Sequence, residues 1–130
     1  MAMRYEQVRP PARWALAVLG ATLACAAWAQ APAAGQYERA DGDTLHQLEL
    51  RADGSGETHS RTRDGRLIVA LRFRWNVAGD QLRQTDIAVQ SGPGEFAPRP
   101  DMALQLRNVT PAGFEARARD DLPWINWTRK

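Results

Sequence analysis

An alternating apolar pattern between residues 66 and 77 constrains the fold more than any other feature of this chain. The segment reads Arg66-Leu-Ile-Val-Ala-Leu-Arg-Phe-Arg-Trp-Asn-Val77, with six apolar side chains on one parity and three arginines and an asparagine on the other. Successive side chains of a β-strand point to opposite faces of the sheet, whereas a helix would scatter these six residues around its axis. The segment therefore predicts a half-buried strand with an apolar inner face.

Turn-forming sequences divide the neighbouring chain into further strands. Asp53-Gly-Ser-Gly56, Asp64-Gly65 and Ala78-Gly-Asp80 are typical of tight turns, because glycine and aspartate tolerate a positive φ. Strands are predicted over residues 44–51, 57–63, 66–77, 81–90, 102–109, 114–119 and 124–129. No segment after residue 29 has a helical period, so we predict an all-β domain, an antiparallel meander of about seven strands that forms a small barrel or half-barrel.

Two segments interrupt this pattern. The predicted strand 57–63 is polar, which indicates either an edge strand or a strand whose inward positions meet water. Residues 91–101 contain two glycines and three prolines, which excludes a central strand there. This proline-rich insertion raises the question of whether the barrel closes.

The N-terminal residues have the features of an export signal. Arg4, Arg9 and Arg13 precede the uncharged run 14–29, which ends in Ala27-Trp-Ala29. A basic start, an apolar stretch and a small-x-small end are typical of a secretory signal peptide, and 16 uncharged residues fall short of the ~20 that span a bilayer. We therefore expect a signal helix over 1–29, a flexible leader over 30–36 and a β domain over 37–130, in the periplasm or secreted.

Cys25 supports an alternative. It follows Thr22-Leu-Ala24, which partly matches the sequence before a lipid-modified cysteine in bacterial lipoproteins. In that alternative Cys25 is the first mature residue and its acyl chains anchor the protein to the envelope.

Removal of residues 1–29 changes the charge and leaves no cysteine. The remaining chain has 14 basic and 14 acidic residues, so its formal net charge is zero. A nucleic-acid-binding domain is usually strongly basic, so we expect no nucleic-acid partner. Without cysteine the domain forms no disulfide, and packing alone stabilises it.

Several motifs resemble those of small bacterial secreted lipocalin-like β-meander domains. They are Leu48-Glu-Leu-Arg-Ala-Asp-Gly-Ser-Gly-Glu57, Phe73-Arg-Trp-Asn-Val-Ala-Gly-Asp-Gln-Leu82, Leu106-Arg-Asn-Val-Thr-Pro-Ala-Gly-Phe114 and the final Trp127-Thr-Arg129. The resemblance implies a barrel or half-barrel and assigns no catalytic residue.

The sequence offers an apolar surface rather than a catalytic site. We predict that Leu71, Phe73, Trp75 and Leu104 line a binding surface for a small apolar ligand. The alternative is a structural or protein-interaction module of the periplasm or outer membrane, which docks a partner through a sheet edge or through an outer face bearing Arg61, Arg63, Arg72 and Arg74.

Catalysis and metal binding have weaker support. Ser60 adjoins His59, but adjacent strand residues point to opposite faces, so we predict no enzyme and no cofactor. His46 and His59, with Glu57 or Asp43, have no metal-ligand spacing, so we predict no metal site. Trp124 and Trp127 are expected on opposite faces of the last strand, one against the core and one at a barrel mouth or as a stacking platform.

Overall fold

The computed structural model describes residues 31–130. The expected signal helix and Cys25 lie outside the described residues. Within residues 31–130, no helical segment has the length and apolar composition that a bilayer crossing requires.

Nine strands make up the described chain. They are β1 (Gly35–Asp41), β2 (Thr44–Leu50), β3 (Ser55–Thr62), β4 (Leu67–Ala78), β5 (Gln81–Ser91), β6 (Ala97–Arg99), β7 (Met102–Thr110), β8 (Gly113–Arg117) and β9 (Ile125–Arg129). The predicted all-β class is confirmed, but β1 and β6 were not among the predicted strands. β1 begins at Gly35, inside the range expected for the leader.

Eight of the strands close into an antiparallel barrel. The order around the barrel is β1–β2–β3–β4–β5–β7–β8–β9, and β9 pairs with β1 through Tyr37–Arg129 and Glu38–Thr128. β6 is an additional strand that pairs only with β5. The prediction of an antiparallel meander forming a small barrel is thus confirmed, in its closed form.

The proline-rich insertion leaves the barrel closed because β5 takes two partners along one edge. Residues Gln81–Gln84 pair with β7, and Ile87–Val89 pair with β6. Between the two halves Asp86 has a φ of 50°, and the β4–β5 register shifts there, as in a β-bulge. The insertion therefore adds a short exposed edge strand, where prolines are tolerated.

The apolar parity of β4 faces the barrel interior, as predicted. Phe73 is buried in the core, Leu71, Trp75 and Val77 pack against it, and Arg72 and Arg74 are exposed. The other core side chains are Tyr37, Leu48, Leu50, Leu82, Ile87, Leu106, Phe114 and Ala116.

β3 is a central strand, so the edge-strand alternative for this segment is wrong. It pairs with β2 on one side and with β4 on the other. Its inward positions hold small residues, among them the buried Gly56 and Ser60. Small residues there leave room for larger side chains of β4, and this is why the strand has no apolar face.

The strand directions define two barrel ends, which we call the base and the mouth. The base carries the β2–β3, β4–β5 and β7–β8 turns, and the mouth carries the β1–β2 turn, the β3–β4 turn and the β8–β9 loop. Residues 31–34 contact the base: the Tyr37 hydroxyl donates to the Ala33 carbonyl at 2.6 Å, and Arg129 donates to the Ala34 carbonyl at 3.2 Å.

Candidate functional site

A largely apolar cavity of about 360 Å³ lies at the mouth. It is lined by Arg39, Leu104, Ala116, Arg117, Ala118, Leu122, Pro123, Ile125 and Trp127. We call it the mouth cavity. It is the candidate site because it combines apolar walls with a buried part of a charged side chain.

The strand pattern explains why these side chains meet. Leu104 lies two residues before the buried Leu106 on β7, so both face inward. On β9, Ile125 pairs with Ala116, and Trp127 pairs with Phe114 on β8. The loop between β8 and β9 then brings Leu122 and Pro123 against the same space.

Arg39 is the charged side chain of the cavity. It shares the inner face of β1 with the buried Tyr37, and its guanidinium carbon lies 5.5 Å from the ring centroid of Trp127. Its Nη1 is 4.0 Å from an oxygen of Asp41, whose side chain is 73% exposed. Its Nε is buried and has no hydrogen-bond partner among residues 31–130. A buried donor without a partner costs about 1–3 kcal/mol of folding free energy. The Nε–H of Arg39 is therefore a donor that a ligand acceptor could satisfy.

A second polar pair lies beside Arg39 on the inner face. His46 is the cross-strand neighbour of Arg39, and its Nδ1 lies 2.7 Å from the hydroxyl oxygen of the buried Ser60. Burial lowers the pKa of His46, the charge of Arg39 lowers it further, and Asp41 opposes both. The neutral form of the ring is therefore favoured to a lower pH than in an exposed histidine.

The His46–Ser60 pair was missed in the sequence because the two residues are 14 positions apart. The β2–β3 turn could have predicted this pair, because the turn sets the register in which His46 and Ser60 face each other. A serine nucleophile needs a base and a third group that orients the base. In the part of the chain that the structure describes, no carboxylate is hydrogen-bonded to His46, and the contact gives the buried Ser60 hydroxyl and the half-buried His46 ring a polar partner.

The four predicted ligand-binding residues all face the interior but do not form one site. Leu104 lines the mouth cavity, whereas Phe73 is part of the filled core. Leu71 and Trp75 pack against that core and are not among the residues that line the cavity. Arg39, Ile125 and the β8–β9 loop were not predicted as site residues.

The two histidines lie on opposite faces of the barrel wall. His46 faces inward and pairs with Ser60, whereas His59 lies 3.9 Å from Glu57 on the outer face. No cluster of three metal-ligating side chains occurs within residues 31–130.

The outer face does not present a continuous basic stripe. Arg72 pairs across the strands with Glu57, and its guanidinium lies 3.6 Å from the ring centroid of Phe96. Arg63 lies 3.5 Å from Asp43. The arginines are thus separated by carboxylates and an aromatic ring.

The two C-terminal tryptophans lie on opposite faces, as expected. Trp127 packs against the core, and Trp124 lies outside, where the guanidinium carbons of Arg107 and Arg117 are 4.2 and 4.3 Å from its ring centroid. These two cations occupy much of the ring surface that a stacking platform would need.

Comparison of the chain with protein-family models, with curated proteins and with solved structures gives no match in any of the three. The class of the protein is defined here by its fold and its site: a closed eight-stranded antiparallel barrel with a largely apolar cavity at the mouth. The resemblance to lipocalin-like domains stays a prediction.

Proposed function

We propose that this protein is an exported, non-enzymatic β-barrel domain that binds a small, mainly apolar ligand in the mouth cavity. The observation that carries the proposal is the cavity itself, with about 360 Å³ of space between apolar walls. Pockets that take small ligands are concave, mostly apolar and roughly 300–1,000 Å³ in volume.

The distribution of side chains inside the barrel supports this proposal. An eight-stranded barrel is just wide enough either to be filled by side chains or to hold one small ligand. Here the base half is filled by large side chains such as Leu50, Phe73 and Phe114. The mouth half has the cavity, so a ligand there need not displace the core.

The proposed contact residues are those of the cavity wall. Leu104, Ile125 and Trp127 provide apolar contacts from three positions on two strands, and Leu122 provides one from the loop. Of the residues expected from the sequence, Leu104 keeps a direct role. We assign Leu71, Phe73 and Trp75 to the packing that supports the cavity from the interior.

A binding experiment tests the proposal. With 1-octanol as the probe, we expect NMR shift changes at the Trp127 indole and at the amides of Leu104 and Ile125. Leu104→Asn is expected to weaken binding by about tenfold, because it replaces an apolar part of the wall with an amide and loses ~1–2 kcal/mol of apolar contact.

Ile68→Asn is the matched control. Ile68 is 42% exposed on β4, away from the cavity wall, so the exchange alters a leucine-sized apolar side chain without touching the site. The proposal would be contradicted if Leu104→Asn showed the same NMR shift changes as the wild type, or if no apolar probe produced shift changes in the wild type.

The structure offers fewer docking surfaces for the interaction-module alternative than the sequence indicated. That alternative needs a free sheet edge or an arginine-bearing face. In the described barrel each of the eight wall strands has a neighbour on both sides, although β1 and β9 share only two paired positions. The short β6, whose sequence includes Pro98, adds one unpaired edge. Co-purification of a stoichiometric protein partner, lost when Arg72 and Arg74 are replaced, would favour this alternative.

We also propose that the chain is exported to the periplasm or beyond. The basis is the charge and apolar pattern of residues 1–29. Intact-mass measurement of the exported protein tests it: a mature chain beginning at Gln30 supports a cleaved signal peptide, and an acylated chain beginning at Cys25 supports the lipid-anchored alternative. An uncleaved chain would contradict both.

A further inference from the structure

We propose that the ligand of the mouth cavity is an amphiphile with one carboxylate, and that Arg39 binds that carboxylate. This inference rests on the proposed ligand-binding function and adds the chemical class of the ligand. It makes Arg39 a binding residue, a role that the sequence did not indicate.

The position of Arg39 is the first support. The alternation of β1 directs its side chain to the same face as Tyr37, so the charge lies inside the barrel wall rather than on its outer surface. The side chain is 23% exposed and lines the cavity. An inward cation next to apolar walls matches a ligand with an apolar body and a negative end.

The incomplete pairing of Arg39 is the second support. Its Nε is buried without a partner among residues 31–130, and its one carboxylate contact there is the 4.0 Å approach of Asp41. A guanidinium binds a carboxylate best through two parallel N–H···O bonds. Nε and the neighbouring Nη provide that geometry once a rotation of the partly exposed side chain turns the buried Nε toward the cavity.

Arg117, the other arginine of the cavity wall, already donates hydrogen bonds to neighbouring residues. Its Nε donates to the side-chain oxygen of Gln105 at 2.8 Å, and its Nη1 donates to the Asp120 carbonyl at 3.2 Å. Its guanidinium also lies against Trp124. The contrast between the two arginines points to Arg39 as the anion-binding group.

The surrounding charges favour a monoanion. Asp41 lies close to the same guanidinium, so a second negative charge on the ligand would meet like-charge repulsion. A carboxylate brings one negative charge, whereas a phosphate monoester brings up to two near neutral pH. We therefore assign a carboxylate rather than a phosphate.

Calorimetric titration at pH 7.5 with three probes that share an eight-carbon chain tests the assignment. Octanoate is expected to bind the wild-type protein about tenfold or more tightly than 1-octanol, because its carboxylate gains charge-assisted hydrogen bonds to the Arg39 guanidinium. Octanoate is also expected to bind more tightly than octyl phosphate. Arg39→Met is expected to abolish this preference, so that the variant binds octanoate no more tightly than it binds octanol. Arg39→Lys keeps the charge but not the paired donors. Its octanoate affinity is expected to lie between those of the wild type and of Arg39→Met.

Arg63→Met is the matched control, since Arg63 is a largely exposed arginine near the same barrel end. It is expected to bind octanoate like the wild type. Circular dichroism of each variant verifies the fold, and Arg39→Lys carries the test if Arg39→Met does not fold.

The outcomes separate the two proposals. The carboxylate assignment is overturned if the wild type binds octanoate and octanol equally, or if neither Arg39→Met nor Arg39→Lys changes the octanoate affinity. In both cases the proposed apolar binding site still stands. Tighter binding of octyl phosphate than of octanoate also overturns the carboxylate assignment. Binding of none of the three probes overturns both this inference and the proposed function.

Discussion

Gly56 on β3 lies directly beneath the ring of Phe73. A Cβ at this position would stand 2.5 and 2.8 Å from two ring carbons of Phe73 and 3.0 Å from the Glu49 carbonyl oxygen. These distances are well inside normal van der Waals contact. Because Phe73 is buried, its ring cannot move away without disturbing the core.

We predict that Gly56→Ala lowers the free energy of unfolding by about 1–3 kcal/mol, the usual cost of overpacking a core. Urea denaturation measures the change. Gly94→Ala is the control, since the nearest atom to a Cβ there is 3.6 Å away. Its free energy of unfolding should stay within about 1 kcal/mol of the wild-type value. Equal effects of the two exchanges would show that the ring contact does not limit this position.

His46 makes stability depend on pH in a defined direction. Burial, and then the charge of Arg39, lowers its pKa in the folded state, so the unfolded chain takes up the proton first as the pH falls. The contribution to stability is complete above the ordinary histidine pKa. It is lost as the pH falls from that value to the lower folded-state value.

We therefore predict that the wild-type free energy of unfolding falls between pH 7 and pH 5, and that His46→Gln reduces this fall. Urea denaturation at several pH values measures it. His59→Gln, on the outer face, keeps His46 and should keep the fall. A His46→Gln variant with the full wild-type pH dependence would contradict the assignment.

At the scale of the elements, Trp75 connects β4 to the β2–β3 turn. Its indole Nε1–H donates to both the Arg51 and the Ser55 carbonyl oxygens, each 3.0 Å from Nε1. Its backbone N–H donates to the Gly54 carbonyl at 2.9 Å. The turn is also closed by Asp53, whose carboxylate accepts from the Ser55 N–H at 2.9 Å and from the Ser55 hydroxyl at 2.7 Å. These bonds to Ser55 lower the pKa of Asp53.

We predict that Trp75→Phe destabilises the protein by about 1–2 kcal/mol, because the smaller ring loses packing and both indole hydrogen bonds to the turn. The Arg51 and Ser55 carbonyl oxygens each keep one backbone donor, the N–H of Gly54 and of Arg51 respectively. Thermal and urea denaturation measure the loss.

Trp124→Phe is the control on the outer face, where a phenyl ring still contacts Arg107 and Arg117, so its effect should be below about 1 kcal/mol. A larger loss from Trp124→Phe than from Trp75→Phe would contradict this ranking.

The sequence predicted those elements whose inner faces carry a repeated apolar signal. β4 is the best example, because Phe73, Trp75 and Val77 alternate with exposed polar residues. β1 was missed because Tyr37 is the one large apolar side chain on its inner face, and Arg39 follows it there. β6 was missed because its three residues lie within a proline-rich segment.

The candidate site was less predictable than the fold. Leu104 was expected from its own alternation, but the other cavity residues meet only after the barrel closes. Arg39 reaches Trp127 through the β1–β9 pairing, a contact between residues near the two ends of the described chain. A pairing between strands so far apart in the sequence produces no local pattern from which it could be predicted.

At the scale of the whole molecule, one side of the barrel has short ladders, with two paired positions in β1–β9 and four each in β5–β7, β7–β8 and β8–β9. β5 and β7 pair only between Gln81–Gln84 and Met102–Gln105, and β9 pairs with β1 through two residue positions near its end. The β3–β4 ladder extends over Ser55–Arg61. Short ladders open more readily than long ones, because fewer bonds must break together.

We predict that amide hydrogens shared by β5 and β7, and by β1 and β9, exchange before those of the β3–β4 ladder. Hydrogen exchange followed by NMR gives the rate at each amide. The order should persist at several denaturant concentrations below the unfolding transition. Identical exchange free energies in all three ladders would indicate a barrel that opens only as a unit.

The arrangement of residues 31–34 and of Lys130 has a practical consequence. Both contact the base, where Arg129 bonds the Ala34 carbonyl and the backbone N–H of Lys130 donates to Gln36. A sensor chip, resin or affinity handle attached through residues 31–34 or through Lys130 would therefore hold the domain with the mouth cavity directed outward. Surface-immobilised protein should accept octanoate as readily as protein free in solution.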